Sequence, residues 1–170
     1  MIILVMGVAG SGKTTVGRRI AERLGWVFVE GDGYHPKSNV AKMGRGEPLT
    51  DADREPWLDA LGDRISELAA ADESAVVTCS ALKHAYRARL RRASHLLRLV
   101  FLNVDRDVAA ARLAHRPAHF AGPALAQSQF KTLEPPKADD AWIVDASGSI
   151  DDTVRELLRR IDLSDRARNR

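Results

Sequence analysis

The residues at the start of the chain constrain its fold more than any other segment. An apolar run, Ile2–Val5, leads into three glycines, Gly7, Gly10 and Gly12, which are followed at once by a lysine and two threonines. Residues 7–14 fit the pattern G-x-x-x-x-G-K-[ST] in full, between a predicted strand and a predicted helix. Glycines at these positions let successive backbone N–H groups turn toward phosphate oxygens. The loop therefore predicts a nucleoside triphosphate site.

Each part of this loop has a predicted role. The helix that begins near Lys13 adds its N-terminal amides and its dipole to the phosphate site. The Lys13 ammonium supplies a positive charge to the β- and γ-phosphates, and the Thr14 hydroxyl is the predicted protein ligand of Mg²⁺, which prefers oxygen. We expect the nucleotide to contact Gly7, Val8, Ala9, Gly10, Ser11, Gly12, Lys13, Thr14 and Thr15.

Apolar runs and helical periodicity alternate along the rest of the chain. The predicted strands are Ile2–Met6, Trp26–Glu30, Ala75–Cys79, Leu97–Val104 and Ala141–Asp145. The predicted helices are Lys13–Leu24, Lys37–Met43, Arg54–Ala71 with Thr50 or Asp51 as cap, Ala81–Ala93, Arg106–His115 and Ser149–Ile161. This alternation is typical of an α/β fold with a parallel sheet, whose ligands bind beyond the carboxyl ends of the strands.

Composition fits one globular domain spanning residues 1–170. The chain is 45% hydrophobic and 29% charged, and no stretch of 18 apolar residues occurs, so we expect no membrane segment. The single cysteine, Cys79, excludes an internal disulfide framework and suits the cytoplasm. The net charge of +3 fits an anionic small substrate. It also fits a nucleic acid, but aromatic residues make up only 5% of the chain, without the alternation of aromatic and basic residues that base stacking needs.

Candidate chemistry follows the second strand. Asp32 is placed to accept the proton of an attacking hydroxyl near the γ-phosphate, although an Asx-turn or a helix cap explains an aspartate there equally well. His35 is either structural or a substrate contact. Arg54 is either a solvated helix charge or a clamp for a carboxylate, and Trp57 reads as a core residue.

Basic residues follow the third and fourth strands. Lys83 and Arg87 are four residues apart, so we expect them on one helix face near the ligand edge, where they would bind an anionic acceptor. Arg112 and Arg116 lead into a long stretch without clear periodicity, residues 115–140, as a lid over a triphosphate requires. The alternative is that both arginines lie on a helix surface near its negative end. Cys79 reads as a small buried hydrophobe.

Four runs of residues together resemble the small P-loop gluconokinases, relatives of shikimate kinase and adenylate kinase. The runs are GVAGSGKTT, GDGYHP..N..KMGRGEPLTDADREPWL, CSALKHAYRARLR and HFAGPALAQSQFKTLEPP, in the family's order over most of residues 1–136. The resemblance implies a three-layer P-loop kinase fold with a five-stranded parallel sheet and helices on both faces. It also implies an acceptor-binding helical segment at about 32–60 and a lid at about 115–136. The tail at about 163–170 ends in the charged run DRARNR, and we expect it to fray as a solvated chain end.

The resemblance further implies transfer of the γ-phosphate of ATP to the 6-hydroxyl of D-gluconate, with Mg²⁺, in the cytoplasm, by a homodimer. Carried onto this sequence, Asp32 is the base, and Arg112 and Arg116 serve the nucleotide and the lid. The residues implied to face the acceptor are His35, Arg54, Lys83, Arg87 and Gln129. Glu30 stands where many relatives have aspartate, and Pro117-Ala118 stands where a glycine commonly precedes His-Phe, so Mg²⁺ binding and the lid hinge are where this chain departs from the family.

Two other functions are compatible with the phosphate loop alone. Another small-molecule kinase of the same fold, acting on shikimate or a nucleoside monophosphate, is disfavoured by the segment at residues 31–58. A P-loop switch protein that binds a partner is disfavoured because a guanine-specific switch would need an N-K-x-D motif, which the sequence lacks.

Overall fold

The central element of the structure is the strand β1, Ile2–Met6, whose five residues are all buried. The computed structural model describes residues 1–115 and 123–168. β1 lies in the middle of a five-stranded sheet with the order β2-β3-β1-β4-β5, in which every pair of neighbours is parallel. The other strands are β2 (Val27–Glu30), β3 (Ala75–Cys79), β4 (Leu97–Asn103) and β5 (Trp142–Asp145). The predicted parallel sheet is confirmed.

Helices cover both faces of this sheet. They are α1 (Lys13–Leu24), α2 (Lys37–Gly44), α3 (Asp51–Ala70), α4 (His84–Arg91), α5 (Arg106–Ala114), α6 (Pro123–Thr132) and α7 (Ile150–Arg168). Side chains of alternate β1 residues point to opposite faces, because the side-chain period of a strand is two. Ile2 and Leu4 pack with α3 and α4, whereas Ile3 and Val5 pack with α1, α5 and α7. The predicted three-layer α/β architecture is confirmed.

Local sequence explains where the best-predicted helices begin and end. Gly25 ends α1 in a left-handed conformation with φ of 67°, which glycine adopts without steric cost. Thr50 caps α3, accepting a hydrogen bond from the Asp53 amide, and the Asp53 carboxylate accepts one from the Thr50 amide in return. Pro56 is the sixth residue of α3, beyond the first turn, so the helix lacks the hydrogen bond that an N–H at this position would donate to the Ala52 carbonyl.

The start of α4 and the presence of α6 differ from the sequence prediction. α4 begins at His84 and not at Ala81, because Ala81 is buried with φ of 42°, outside the helical region. α6 was not predicted at all. It has little apolar periodicity, with Ala126 buried and Phe130 half-buried. The Arg106 guanidinium of α5 lies 5.2 Å from the Phe130 ring, so contacts with the rest of the fold support this helix.

The last helix runs through most of the segment that was expected to fray. α7 continues to Arg168, and its described residues beyond Ile161 are exposed or half-exposed. Within residues 1–115 and 123–168, no helix combines the length and the apolar character that a bilayer crossing requires.

The junction between β2 and β3 yields a stability test. A Cβ added at Gly31 would overlap the Thr78 carbonyl of the neighbouring strand, whereas one at Gly33, two residues on, would meet open space. We expect Gly31→Ala to lower the free energy of unfolding by about 2–3 kcal/mol through overpacking, and Gly33→Ala to leave it nearly unchanged. Urea denaturation of both variants measures the difference. Equal losses in the two variants would contradict this account of Gly31.

Candidate active site

The loop between β1 and α1 forms the centre of the site. Gly10 has φ of 81°, and a Cβ there would overlap the Ala109 carbonyl of α5, so only glycine fits this turn. The Ser11 amide donates to the Val8 carbonyl at 3.2 Å and closes the curve of the loop. α1 then begins without a side-chain cap and without an acidic residue in its first turn. Its N-terminal amides and dipole therefore suit an anion.

Lys13 and Thr14 lie half-buried at the start of this helix. The Lys13 ammonium donates to the Val8 carbonyl at 3.0 Å, which folds its side chain back along the loop. Lys13 and Asp32 both act electrostatically on the thiol of Cys79, the last residue of β3. The ammonium and the Asp32 carboxylate therefore lie at the same edge of the sheet, as the sequence predicted.

Asp32 lies exposed in a single 3-10 turn, Gly31–Tyr34, directly after β2. The turn is closed by backbone, since the His35 amide donates to the Asp32 carbonyl at 3.3 Å. Within the described residues the Asp32 carboxylate makes no hydrogen bond, so it does not form the alternative Asx-turn. The indole N–H of Trp57 also fixes this turn, because it donates to the Gly31 carbonyl at 2.8 Å.

His35 is held on the same support. Its ring stacks on Trp57 with a centroid separation of 4.0 Å and an interplanar angle of 17°. Burial lowers the pKa of His35, with Asp32 raising it and Arg54 lowering it to smaller extents, so the ring is neutral at pH 7. The buried Asn39 amide approaches His35 Nδ1 at 3.3 Å and donates to the Asp53 carbonyl at 2.7 Å. We did not single out Asn39, although its position four residues after His35 in a predicted helix was a usable signal.

Arg54 and Lys83 meet in a cluster around Asp51, at the N-terminal ends of α3 and α4. The Lys83 ammonium contacts both carboxylate oxygens of Asp51 at 2.8 and 2.7 Å, and the Tyr86 hydroxyl donates to the same carboxylate. These hydrogen bonds lower the pKa of Asp51. The Arg54 guanidinium lies 6.0 Å from the Tyr86 ring and donates to the carbonyls of Leu49 and Thr50. Sequence reasoning missed Asp51 and Tyr86 as members of this cluster. The cluster binds the carboxylate of Asp51 through Lys83 and Tyr86.

Arg87 is placed differently from Lys83. Lys83 precedes α4 as its N-cap residue, so the two do not share a helix face as predicted. Arg87 is only 3% exposed and donates to the carbonyls of Ala81 and Leu82 at 3.1 and 3.0 Å. Burial lowers the pKa of Arg87, opposed by the nearby carboxylates of Glu134 and Asp140. Arg87 therefore contacts the loop between β3 and α4.

The remaining predicted residues lie around the phosphate loop. The Gln129 side-chain carbonyl of α6 accepts a hydrogen bond from the Ala9 amide at 2.6 Å. Arg112, near the end of α5, donates to the carbonyls of Ala146 and Gly148 in the loop between β5 and α7. Both residues lie at the predicted edge. Arg116 and the Pro117-Ala118 pair fall outside the described residues.

Acidic and thiol groups near the loop complete the site. Glu30 accepts a hydrogen bond from the Thr78 hydroxyl, which ties its carboxylate to β3. Residues 1–115 and 123–168 contain no group of three or more His, Cys, Asp or Glu side chains that could hold a metal ion. Cys79 is 1% exposed, and burial raises its pKa to about 12, so its prediction as a small hydrophobe is confirmed.

Known proteins share this architecture and much of this sequence. Residues 2–136 match a family model described as an AAA domain. The chain is 45% identical over 165 residues to a gluconokinase of Gluconobacter oxydans (strain 621H), covering 96% of this chain and 92% of the relative. It superposes on a gluconokinase from Sinorhizobium meliloti 1021 with a TM-score of 0.81 and 46% identity, covering 91% and 87% of the two chains. An APS kinase from Mycobacterium tuberculosis, with a TM-score of 0.69, 18% identity and 95% and 96% coverage, shows the fold alone.

The burial of Cys79 gives a chemical test of the sheet edge. Iodoacetamide reacts with the thiolate, so we expect the folded protein to resist alkylation at pH 8 and to react once unfolded. Mass spectrometry of the modified fraction across a urea titration should follow the global unfolding transition. Rapid modification in the absence of denaturant would contradict a buried, protonated thiol at the end of β3.

Proposed function

This chain belongs to the gluconokinase family, and we propose that it transfers the γ-phosphate of ATP to the 6-hydroxyl of D-gluconate, giving 6-phospho-D-gluconate. The observation that carries the proposal is a phosphate-binding loop at the same sheet edge as a carboxylate-holding cluster. A nucleotide kinase would share only the first feature, whereas a shikimate kinase, whose acceptor is also a carboxylate, would share both, so sequence similarity separates these two acceptors. The similarity to gluconokinases extends over 96% of the chain, and a purely switch-like function is not favoured.

The phosphate loop binds the nucleotide. The uncapped start of α1 provides backbone donors for phosphate oxygens, whereas the Gly7, Ala9 and Ser11 amides of the loop donate to Ser80, Gln129 and Val8. Lys13 exchanges the Val8 carbonyl for the β- and γ-phosphates and stabilises the charge that develops on the transferring group. Arg112 serves the nucleotide side from the end of α5. Arg116, within a lid of about 115–136, is proposed to reach the transferring phosphoryl group.

Magnesium fits the donors at this edge. Mg²⁺ keeps several waters and binds one or two protein oxygens together with substrate phosphates, so it does not require a cage of protein carboxylates. The Thr14 hydroxyl, in the first turn of α1, is the proposed ligand. When bound, the ion would neutralise phosphate charge. Glu30, the last residue of β2, accepts a hydrogen bond from Thr78 and is thereby held at the same edge of the sheet.

Asp32 is the proposed base. Its exposed carboxylate makes no hydrogen bond within the described residues, so it is available to the 6-hydroxyl of the acceptor. Because the transition state of phosphoryl transfer is loose, the carboxylate's first task is to align that hydroxyl, and it then accepts the proton as the O–P bond forms. Trp57 fixes the turn that carries Asp32, and the neutral His35 lies beside it as a proposed acceptor contact.

Arg54 and Lys83 are proposed to hold the acceptor's carboxylate and hydroxyls. A guanidinium binds a carboxylate through two parallel hydrogen bonds, and an ammonium adds a point charge. Arg54 and Lys83 are half-buried around Asp51, so an acceptor carboxylate can take over contacts that Asp51 holds in the free enzyme. Gln129 of α6 and Arg87 of α4 are also proposed to support acceptor binding. Arg87 would do so through the loop after β3, whose carbonyls it binds.

The proposal also covers the cellular location and the oligomeric state of the enzyme. A cytoplasmic location is supported by the single buried cysteine, which is suited to a reducing compartment. A homodimer is proposed from the family resemblance.

A coupled assay of ADP release tests the function directly. We expect release with ATP and D-gluconate and little with shikimate or a nucleoside monophosphate. Lys13→Ala should lower kcat by about 10²-fold or more, because a charge that stabilises the transition state is lost. Product mapping by NMR places the phosphate on the 6-hydroxyl. Equal turnover of shikimate and gluconate, or wild-type turnover in Lys13→Ala, would contradict the proposal.

Asp32→Asn tests the proposed base. The amide keeps the size of the side chain but cannot take up the proton, so we expect kcat to fall by about 10²-fold or more, with unchanged nucleotide binding and an unchanged melting curve. Asp63→Asn, at an exposed position on α3, is the matched control and should remain fully active. Unfolding of Asp32→Asn would mark a structural residue, and near wild-type turnover would move the base elsewhere, with Glu30 the next carboxylate to test.

A further inference from the structure

The loop between β3 and α4, residues 80–83, holds an unfavourable backbone conformation. Ala81 has φ of 42°, a region that residues with a Cβ rarely adopt, and it is fully buried. Such a conformation persists only where the surroundings fix it, and it is common at functional sites. The contacts that hold this loop are therefore informative.

Two charged residues hold the loop from opposite sides. From α4, the Arg87 guanidinium donates to the carbonyls of Ala81 and Leu82. From the segment after α6, the Glu134 amide donates to the same Leu82 carbonyl at 3.0 Å. The Glu134 carboxylate accepts a hydrogen bond from the His84 amide, the first residue of α4, at 2.6 Å. The Leu82 carbonyl is thus bound by both Arg87 and Glu134, and the His84 amide is bound by Glu134.

The loop connects the two halves of the site. At its start, the Ser80 carbonyl accepts a hydrogen bond from the Gly7 amide of the phosphate loop at 3.3 Å. At its end, Lys83 reaches the carboxylate of Asp51. A change in the direction of residues 82–84 would move the Lys83 ammonium while leaving the phosphate loop in place, because Gly7 is bound at the opposite end of the loop.

We propose that Glu134 is a positioning residue for the acceptor. By holding the His84 amide with its carboxylate and the Leu82 carbonyl with its backbone, it sets the direction in which Lys83 leaves the loop. Glu134 is exposed, so we expect its removal to alter the orientation of the site more than the stability of the fold. This inference rests on the proposed function for the identity of the acceptor.

Glu134 also joins this loop to α6. The Leu133 amide donates to the Gln129 carbonyl, and the Gln129 side chain accepts from the Ala9 amide of the phosphate loop. Residues 129–134 therefore contact the nucleotide side at one end and the acceptor side at the other. Glu134 is the member of this short segment whose side chain acts on the acceptor side.

Steady-state kinetics of Glu134→Ala and Glu134→Gln test the proposal. Glu134→Ala removes the acceptor for the His84 amide, so we expect the KM for gluconate to rise about tenfold, the scale of one charge-assisted hydrogen bond, with little change in the KM for ATP or in the melting temperature. Glu134→Gln retains a side-chain oxygen for that amide and should restore most of the gluconate KM. Glu67→Ala, an exposed glutamate paired with Arg64 on α3, is the control and should behave as wild type.

Amide hydrogen exchange provides a second measurement that needs no substrate. Glu134→Ala should speed exchange in the peptide that spans residues 80–86 and leave the β1–α1 loop unchanged. A fall in melting temperature with both KM values raised would overturn the proposal in favour of a structural role, as would an unchanged gluconate KM in an enzyme active on gluconate. If the wild type does not phosphorylate gluconate, the proposed function fails. The exchange experiment then decides on Glu134 alone, and unchanged exchange at residues 80–86 would overturn its role.

Discussion

The burial of β1 between β3 and β4 is the constraint on which the site depends. β1 is covered on both faces of the sheet and all five of its residues are apolar and buried, so the chemistry at this position must come from the loop that follows the strand. The carboxyl ends of all five strands lie at one edge. The phosphate loop after β1 therefore meets the loop after β3, and the Gly7 amide binds the Ser80 carbonyl there. The residues that we propose to bind phosphate and acceptor therefore lie at one edge of the sheet.

Features that depend on neighbouring residues were predictable from the sequence. The strands are apolar runs, α1 ends at Gly25, and Thr50 caps α3 through Asp53, all of which are local signals. The phosphate loop has a full motif between a strand and a helix. The placement of Asp32 at the same edge as Lys13 follows from strand direction, because the phosphate loop that leads to Lys13 and the turn that carries Asp32 both follow the carboxyl ends of parallel strands.

Features that depend on distant contacts were not predictable. Arg87 was expected at the helix surface with Lys83, but the left-handed Ala81 delays the start of α4 and the Ala81 and Leu82 carbonyls draw the guanidinium inward. α6 was missed because Gln129 and Phe130 are supported by Ala9 and Arg106, residues far away in sequence. Trp57 was predicted as core, and it is 1% exposed, yet its indole N–H and its ring also support the turn with Asp32 and the His35 ring.

Lys83 and Arg87 differ in how easily their present hydrogen-bond partners can be replaced. This difference separates a residue suited to binding a substrate from one that supports the loop. The side chains of Lys83 and Asp51 are 28% and 61% exposed, and an exposed ion pair adds little net stability, so an incoming carboxylate can replace Asp51 at small cost. Arg87 is 3% exposed, and its withdrawal would leave the Ala81 and Leu82 carbonyls short of buried hydrogen bonds. Lys83 is therefore suited to exchange partners during a catalytic cycle, whereas Arg87 keeps its loop carbonyls throughout.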